Sequence, residues 1–415
     1  MNKNLLVFIL IIFILFCYLF FAMPKGSEVK LAAVGGQIGG QDHTGPYEVD
    51  PDWPLPLSNF DNHESWTWGA MQGIFAESEN RVFLIMRGEL PELERPREVP
   101  YPEVGPSLSY PVTGTPFRNA SVGPITSPGN TGPDGWSEWQ GTLGVDARWE
   151  HIIVVVNSRG EIIEDWSQWD HLFRRPHSIT INPYDPEKNI WVIDDRHHVI
   201  YEFSNDGSEL LRTMGEPGVP GNDANHFNRP TFMTWAPDGT MFVADGYANS
   251  RIVKFSSDGE YITSWGQEGI PPNETRPGYF NAVHGVALDY ASDRLFVTDR
   301  SNRRIQVFNM DGNFLYDFST GPYSVPQYLY ISEDRYLWVA DYATNKILKY
   351  SLEGEFLYSW GSMGEWPGGM WNVHGMSVDE NNNLYIAEVN SGRAQKFIPR
   401  QDARIEFITA KPLIE

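Results

Sequence analysis

Cysteine is almost missing from this chain, with one in 415 residues. That residue, Cys17, lies inside an apolar run, so the remainder carries no disulfide and must be stabilised by packing and strand closure. Basic residues are also scarce. Lys and Arg number 31 against 54 Asp and Glu, a net charge of −23. This excludes a nucleic-acid partner, because nothing here would release phosphate counterions. What is abundant is Gly (38), Pro (30) and aromatics (14%). Many turns around a large core make an all-β chain the expectation.

Leu5 to Met23 is a run of nineteen mostly apolar residues preceded by Lys3. At about 1.5 Å per residue a helix of that length crosses a bilayer core, and Lys3 keeps its start cytoplasmic. The run exceeds the usual signal-peptide core of about 7–15 residues and lacks a clear small-x-small cleavage site. Residues 1–24 are therefore read as an N-terminal transmembrane helix, with the rest extracytoplasmic (periplasmic, extracellular or lumenal), or secreted if the segment is cleaved. Residues 25–60 read as a linker, with room for a strand that wraps the domain.

From residue 170 onward the chain repeats with a period near 40 residues. Each unit runs from an apolar strand through a second strand such as Met241-Phe-Val-Ala-Asp and a third such as Arg251-Ile-Val-Lys-Phe. A hairpin such as Ser256-Ser-Asp-Gly-Glu-Tyr-Ile-Thr-Ser-Trp-Gly ends it. Four short strands with polar turns make one propeller blade. Blades are expected at 176–215, 229–266, 282–320, 325–361 and 372–408. A less regular one upstream comprises Trp68 to Arg87 and Ile152 to Trp166. The expectation is a six-bladed β-propeller over 61–410, with a Pro/Gly/Ser-rich surface insertion at about 88–145. Which strand closes the ring is not legible.

The equivalent first-strand positions are Gln72, His177, Thr231, His284, Gln327 and His374. Histidine stands on alternate blades, about 120° apart around the axis. Three imidazoles aimed at one point suit a metal ion with an open coordination position; for any one alone, a hydrogen bond to water or a carbonyl would suffice. The second strands end at Met86, Asp194, Asp245, Asp299, Asp341 and Glu388, and the next residue opens a loop toward the histidines. Two such residues are Arg87 and Arg300. The loop Gly246-Tyr247-Ala248-Asn249 is one residue longer and should push Tyr247 inward. An arginine can hold a carboxylate in two-point fashion, and a phenol beside a metal and an arginine can act as base. The recurring Asn249-x-Arg251, Asn302-x-Arg304 and Asn345-Lys346 elements, like the blade aspartates, fit turn-tying hydrogen bonds. Trp265 and Trp360 fit inter-blade packing, and His197, His198 and His226 fit solvent-facing loops.

These repeats resemble NHL repeats. Asn225-His-Phe-Asn-Arg-Pro-Thr through Asp245-Gly-Tyr-Ala-Asn-Ser-Arg-Ile, and Val283-His-Gly-Val-Ala-Leu through Asp299-Arg-Ser-Asn-Arg-Arg-Ile, resemble the peptidyl-α-hydroxyglycine α-amidating lyase family. The likeness covers roughly residues 66–88 and 170–400. It implies zinc on His177, His284 and His374, another divalent metal being the alternative, with Tyr247 catalytic beside Arg87 and Arg300. The implied reaction cleaves a peptidyl- or N-acyl-α-hydroxyglycine to an amide and glyoxylate. There are departures. The family's calcium site uses carbonyls matching Ile74 and Ile179 and a carboxylate after the third histidine, where this chain has Gly375. Its cysteine beside the tyrosine is Ala248 here, and the partner monooxygenase is absent. A monomer acting on a small-molecule or peptide substrate is expected. The competing expectation is a membrane-tethered propeller that binds a protein or peptide without catalysis. A lactonase-like hydrolase ranks last, since it would want a carboxylate-rich axial site.

Overall fold

The computed structural model describes residues 43–91, 98–100, 109–111 and 148–414. The apolar run with Cys17, and most of the insertion at 88–145, lie outside these. Among the described residues no helix is long and apolar enough to cross a membrane, and the only helices are four short 3-10 turns.

Six four-stranded antiparallel sheets form the blades of a propeller. Blade one contains Met71–Ser78, Arg81–Met86, Ile153–Val156 and Ile162–Asp165. Blades two to five are consecutive in the chain, beginning at the strands Pro176–Ile181, Pro230–Trp235, Val283–Asp289 and Pro326–Ile331. The second strands of the blades are mostly apolar and buried because a neighbouring blade covers each face. Thus Leu337–Asp341 is buried throughout, whereas the outer strand Phe314–Ser319 alternates between exposed and half-buried. The core lies between blades. Trp338 and Trp360 of blade five pack with Leu384 and Phe397 of blade six, and Tyr385 and Ala387 of blade six pack with Met71 and Val82 of blade one. Trp265 reaches across to Phe308 at 6.1 Å between ring centroids. A Cβ at Gly312, in a turn with φ +84°, would come within 2.7 Å of the same indole.

Blade six corrects two expectations. It holds Val373–Val378, Leu384–Glu388 and Arg393–Pro399, but its fourth strand is Tyr47–Asp50, paired antiparallel with residues 396–399. The stretch read as a linker with room for a wrapping strand therefore does supply such a strand, which closes the ring, and the propeller begins before residue 61. Burial drives this: Tyr47 is 1% exposed, and Trp53 and Leu57, farther along the same stretch, are buried too. Residues after Pro399, read as the end of the last blade, instead form the 3-10 turn Ile405–Phe407 and a bridge from Pro412 to Ser332 of blade five. The Tyr47 hydroxyl accepts the Thr409 N–H at 2.8 Å, so the two ends hold each other.

One irregularity recurs in all six blades. The pairing of first and second strands is broken at Gln72, His177, Thr231, His284, Gln327 and His374, each of which lies within a register shift. A bulged residue leaves the ladder and its side chain is re-aimed.

Candidate metal centre

The bulges bring His177, His284 and His374 together at the axis, with one ligand atom of each within 4.8 Å of the others. Ring centroids are 4.5 to 5.1 Å apart. All three are buried. Each Nδ1 bonds to the main-chain carbonyl of the bulged residue on the next blade: His177 to Thr231 at 2.9 Å, His284 to Gln327 at 2.7 Å, His374 to Gln72 at 2.6 Å. A carbonyl can only accept, so each Nδ1 carries the hydrogen and each Nε2 keeps its lone pair. Two of these lone pairs meet Tyr247, and the Nε2 of His374 is buried without a partner. Burial is the main reason that protonation of all three is pushed down, for His374 to about 3; the neighbouring histidine and then nearby arginines add to it at His177 and His284, and Arg87 and Arg300 add to it at His374. Neutral imidazoles with fixed tautomers and converging lone pairs are the donor set a divalent metal requires.

Tyr247 sits over the triad. Its hydroxyl is 2.9 Å from His284 Nε2 and 3.2 Å from His177 Nε2. Gly246 makes this possible, since a Cβ there would fall 1.8 Å from the Val283 carbonyl oxygen. Arg300, the first residue of a 3-10 turn, donates from Nη1 to the Tyr247 hydroxyl at 3.4 Å and lies over the Tyr342 ring. Arg87 is 2% exposed and donates to Gln72 Oε1 at 2.9 Å. Burial first, and then the charge of Arg175, lowers its pKa well below the usual guanidinium range. All six sequence candidates thus lie in one axial cluster.

Three residues were not anticipated. Phe232 follows the bulge at Thr231 and packs its ring 5.1 to 5.5 Å from all three imidazoles, an apolar wall for the site. Arg229 lies over the Tyr247 ring at 4.7 Å and donates twice to the buried Asp195. A signal for Asp195 existed, because it occupies the loop-opening position that holds Arg87 and Arg300 in other blades.

The repeated polar elements tie turns. Asp245 accepts from Asn228 N–H, Asn249 and Arg251, and Asp299 accepts from Asn281 N–H, Asn302 and Arg304. The loop histidines are only partly exposed: His197 bonds the Leu172 carbonyl, His198 accepts the Arg229 N–H, and His226 pairs with Asp223. Gly375 packs against Gly73 and Ile74.

A second group, His63, Glu89 and His151, also brings possible ligand atoms together. Here Arg148 already bonds Glu89 and His63, so its guanidinium takes the place a cation would occupy. Glu89 and Arg148 also pair through their backbones, closing the neck of the insertion.

A family model described as a 6-bladed beta-propeller matches residues 281–360. The chain is 40% identical over 280 residues to peptidylglycine alpha-amidating monooxygenase of Rattus norvegicus, covering 65% of this chain and 24% of that protein. It is 33% identical over 193 residues to peptidyl-alpha-hydroxyglycine alpha-amidating lyase 1 of Drosophila melanogaster, covering 45% and 34%. It is 28% identical over 253 residues to NHL repeat-containing protein 3 of Homo sapiens, covering 56% and 69%. The chain thus has homologues named as amidating lyases, while spanning about a third or less of the first two relatives.

Proposed function

We propose that this protein is a metal-dependent carbon–nitrogen lyase that converts a peptidyl- or N-acyl-α-hydroxyglycine into an amide and glyoxylate. The observation that carries this is the convergence of three neutral imidazole Nε2 lone pairs beneath the Tyr247 hydroxyl. A module that only binds a protein needs no such constellation.

His177, His284 and His374 would hold the metal, zinc or another divalent ion, and when bound it supplies Lewis-acid polarisation of the substrate oxygen. The chain's own residues do the rest. Tyr247, once it has given up its own proton, takes that of the substrate hydroxyl. As the C–O bond becomes a carbonyl, the C–N pair leaves with nitrogen, and Tyr247 returns the proton there. One proton moves from oxygen to nitrogen, and no water is consumed. Arg87 and Arg300 hold the carboxylate and the negative charge that grows on oxygen. Phe232 keeps the floor apolar, which strengthens these interactions. We further propose that the protein is tethered through residues 1–24 with its propeller extracytoplasmic, on the strength of Lys3 and the apolar run, and that it acts as a monomer.

The test is glyoxylate release from N-benzoyl-α-hydroxyglycine by metal-loaded protein. Release that disappears on chelation and returns with zinc supports the proposal. No release from loaded protein overturns it.

A further inference from the structure

Arg87 donates from Nη2 to Gln72 Oε1 at 2.9 Å, deep in the propeller, where Gln72 is 1% exposed. A guanidinium can only donate, so this bond fixes the amide with its oxygen toward Arg87 and leaves Nε2 as the other end. Nε2 is buried and has no hydrogen-bond partner among the described residues. Turning the amide over would bring N–H against N–H, so the spare donor is built into the pair. Buried polar groups in native proteins are almost always satisfied, and an exception at a proposed site calls for a group that arrives with the substrate.

The surroundings of Gln72 narrow what that group is. Gln72 is the bulged residue of blade one, and its main-chain carbonyl accepts His374 Nδ1 at 2.6 Å. Tyr247 covers the Nε2 lone pairs of His177 and His284, while that of His374 has no partner. On this side of the site an acceptor and a donor thus stand unpaired on adjoining blades. A metal ion would take the lone pair of His374 but cannot accept from Gln72. The donor needs an oxygen, and the charge of Arg87 beside it favours an anionic one. Arg300 meets the Tyr247 hydroxyl at 3.4 Å instead, beside the proposed base.

We propose that Gln72 is a substrate-binding residue whose Nε2 donates to the carboxylate of the α-hydroxyglycine, alongside Arg87. This rests on the lyase reading of the same site. Gln72 then has three tasks: its carbonyl sets the His374 tautomer, Oε1 holds Arg87 in place, and Nε2 receives the substrate. The charge-assisted bond forms only with a substrate that carries the carboxylate, so Gln72 selects the acid over an analogue without it. It takes no part in proton transfer, because a carboxamide neither gains nor loses a proton near neutral pH.

The experiment measures, by calorimetry on zinc-loaded protein, the binding of N-benzoylglycine and of N-ethylbenzamide, in which a methyl replaces the carboxylate. Gln72→Glu keeps an acceptor for Arg87 but loses the donor. Gln72→Met keeps the volume and the net charge but loses both ends of the amide. Wild type should prefer the acid, and each variant should lose about 10- to 100-fold of that preference, the worth of a hydrogen bond to a charged group. Zinc content should be unchanged, since the carbonyl that holds His374 is main chain. A ratio kept in Gln72→Glu would reduce Gln72 to a prop for Arg87, and a ratio kept in Gln72→Met would make it dispensable. Either result overturns the proposal, as does a wild type indifferent to the carboxylate. Should one variant not fold, the other decides by the same ratio. The measurement needs no turnover, so the two readings fail separately. Wild type that prefers the acid through Gln72 but releases no glyoxylate from N-benzoyl-α-hydroxyglycine would sink the lyase reading alone.

Discussion

His374 donates its Nδ1 hydrogen to the carbonyl of Gln72 at 2.6 Å, across the seam where the two ends of the propeller meet. The bond joins blade six to blade one and also sets which nitrogen of His374 faces the axis. Closing the ring and preparing the site are the same event at this seam. The equivalent bonds from His177 and His284 do this between blades two and three and between blades four and five.

Replacing Tyr247 by Phe removes the hydroxyl and leaves the ring under Arg229. Turnover should fall about 10²–10⁴-fold, the range for a lost general base. Metal content should be unchanged. Loss of the metal together with activity would make Tyr247 a ligand or a structural prop instead.

At Gly246 the added methyl of an alanine would meet the Val283 carbonyl oxygen at 1.8 Å, so the loop must move. Overpacking of this kind costs about 1–3 kcal/mol. Displacing Tyr247 by about 1 Å should lower turnover near 10²-fold. Urea unfolding and the glyoxylate assay measure the two effects separately.

The closing strand can be tested at Tyr47. Tyr47→Ala empties a buried site between Trp360 and Phe397 and leaves the Thr409 N–H without its acceptor. A loss of about 3–5 kcal/mol is expected for a large buried aromatic. A change within 1 kcal/mol of wild type by denaturant unfolding would show that the strand is dispensable.

The neck of the insertion should respond to pH through His151. Burial alone would push its pKa down, but hydrogen bonds to Asp165 and Glu89 outweigh this and hold it up to about 10. Its folded pKa is thus raised above the unfolded value of about 6.5. Its stabilisation is full below pH 6.5 and is lost as pH rises toward 10. Wild type should lose stability across that window, and His151→Gln should flatten the decline. Equal slopes in the two proteins would contradict the assignment.

Much of this was legible in the sequence because a propeller repeats. The alternation of His177, His284 and His374 with Gln and Thr could be read by aligning units, and Arg87 and Arg300 followed from one loop position. The bulges could not be read, since a register shift is a property of paired backbones. Tyr47–Asp50 was hidden for a similar reason. Four residues carry no repeat signature, and their partners lie near the other end of the chain. Arg229 and Asp195 form a pair across two loops of different blades, so no local pattern links them. Phe232 reads as an ordinary strand aromatic until the axis is built.

The most direct measurement is a zinc titration of metal-stripped protein, read by glyoxylate release and bound metal together, in wild type and His374→Ala. Wild type should bind one tight equivalent per chain, with activity rising in step to a break at that point. His374→Ala should show neither. Activity in stripped protein, or a variant that binds and turns over as wild type does, would contradict a metal centre built on these three histidines.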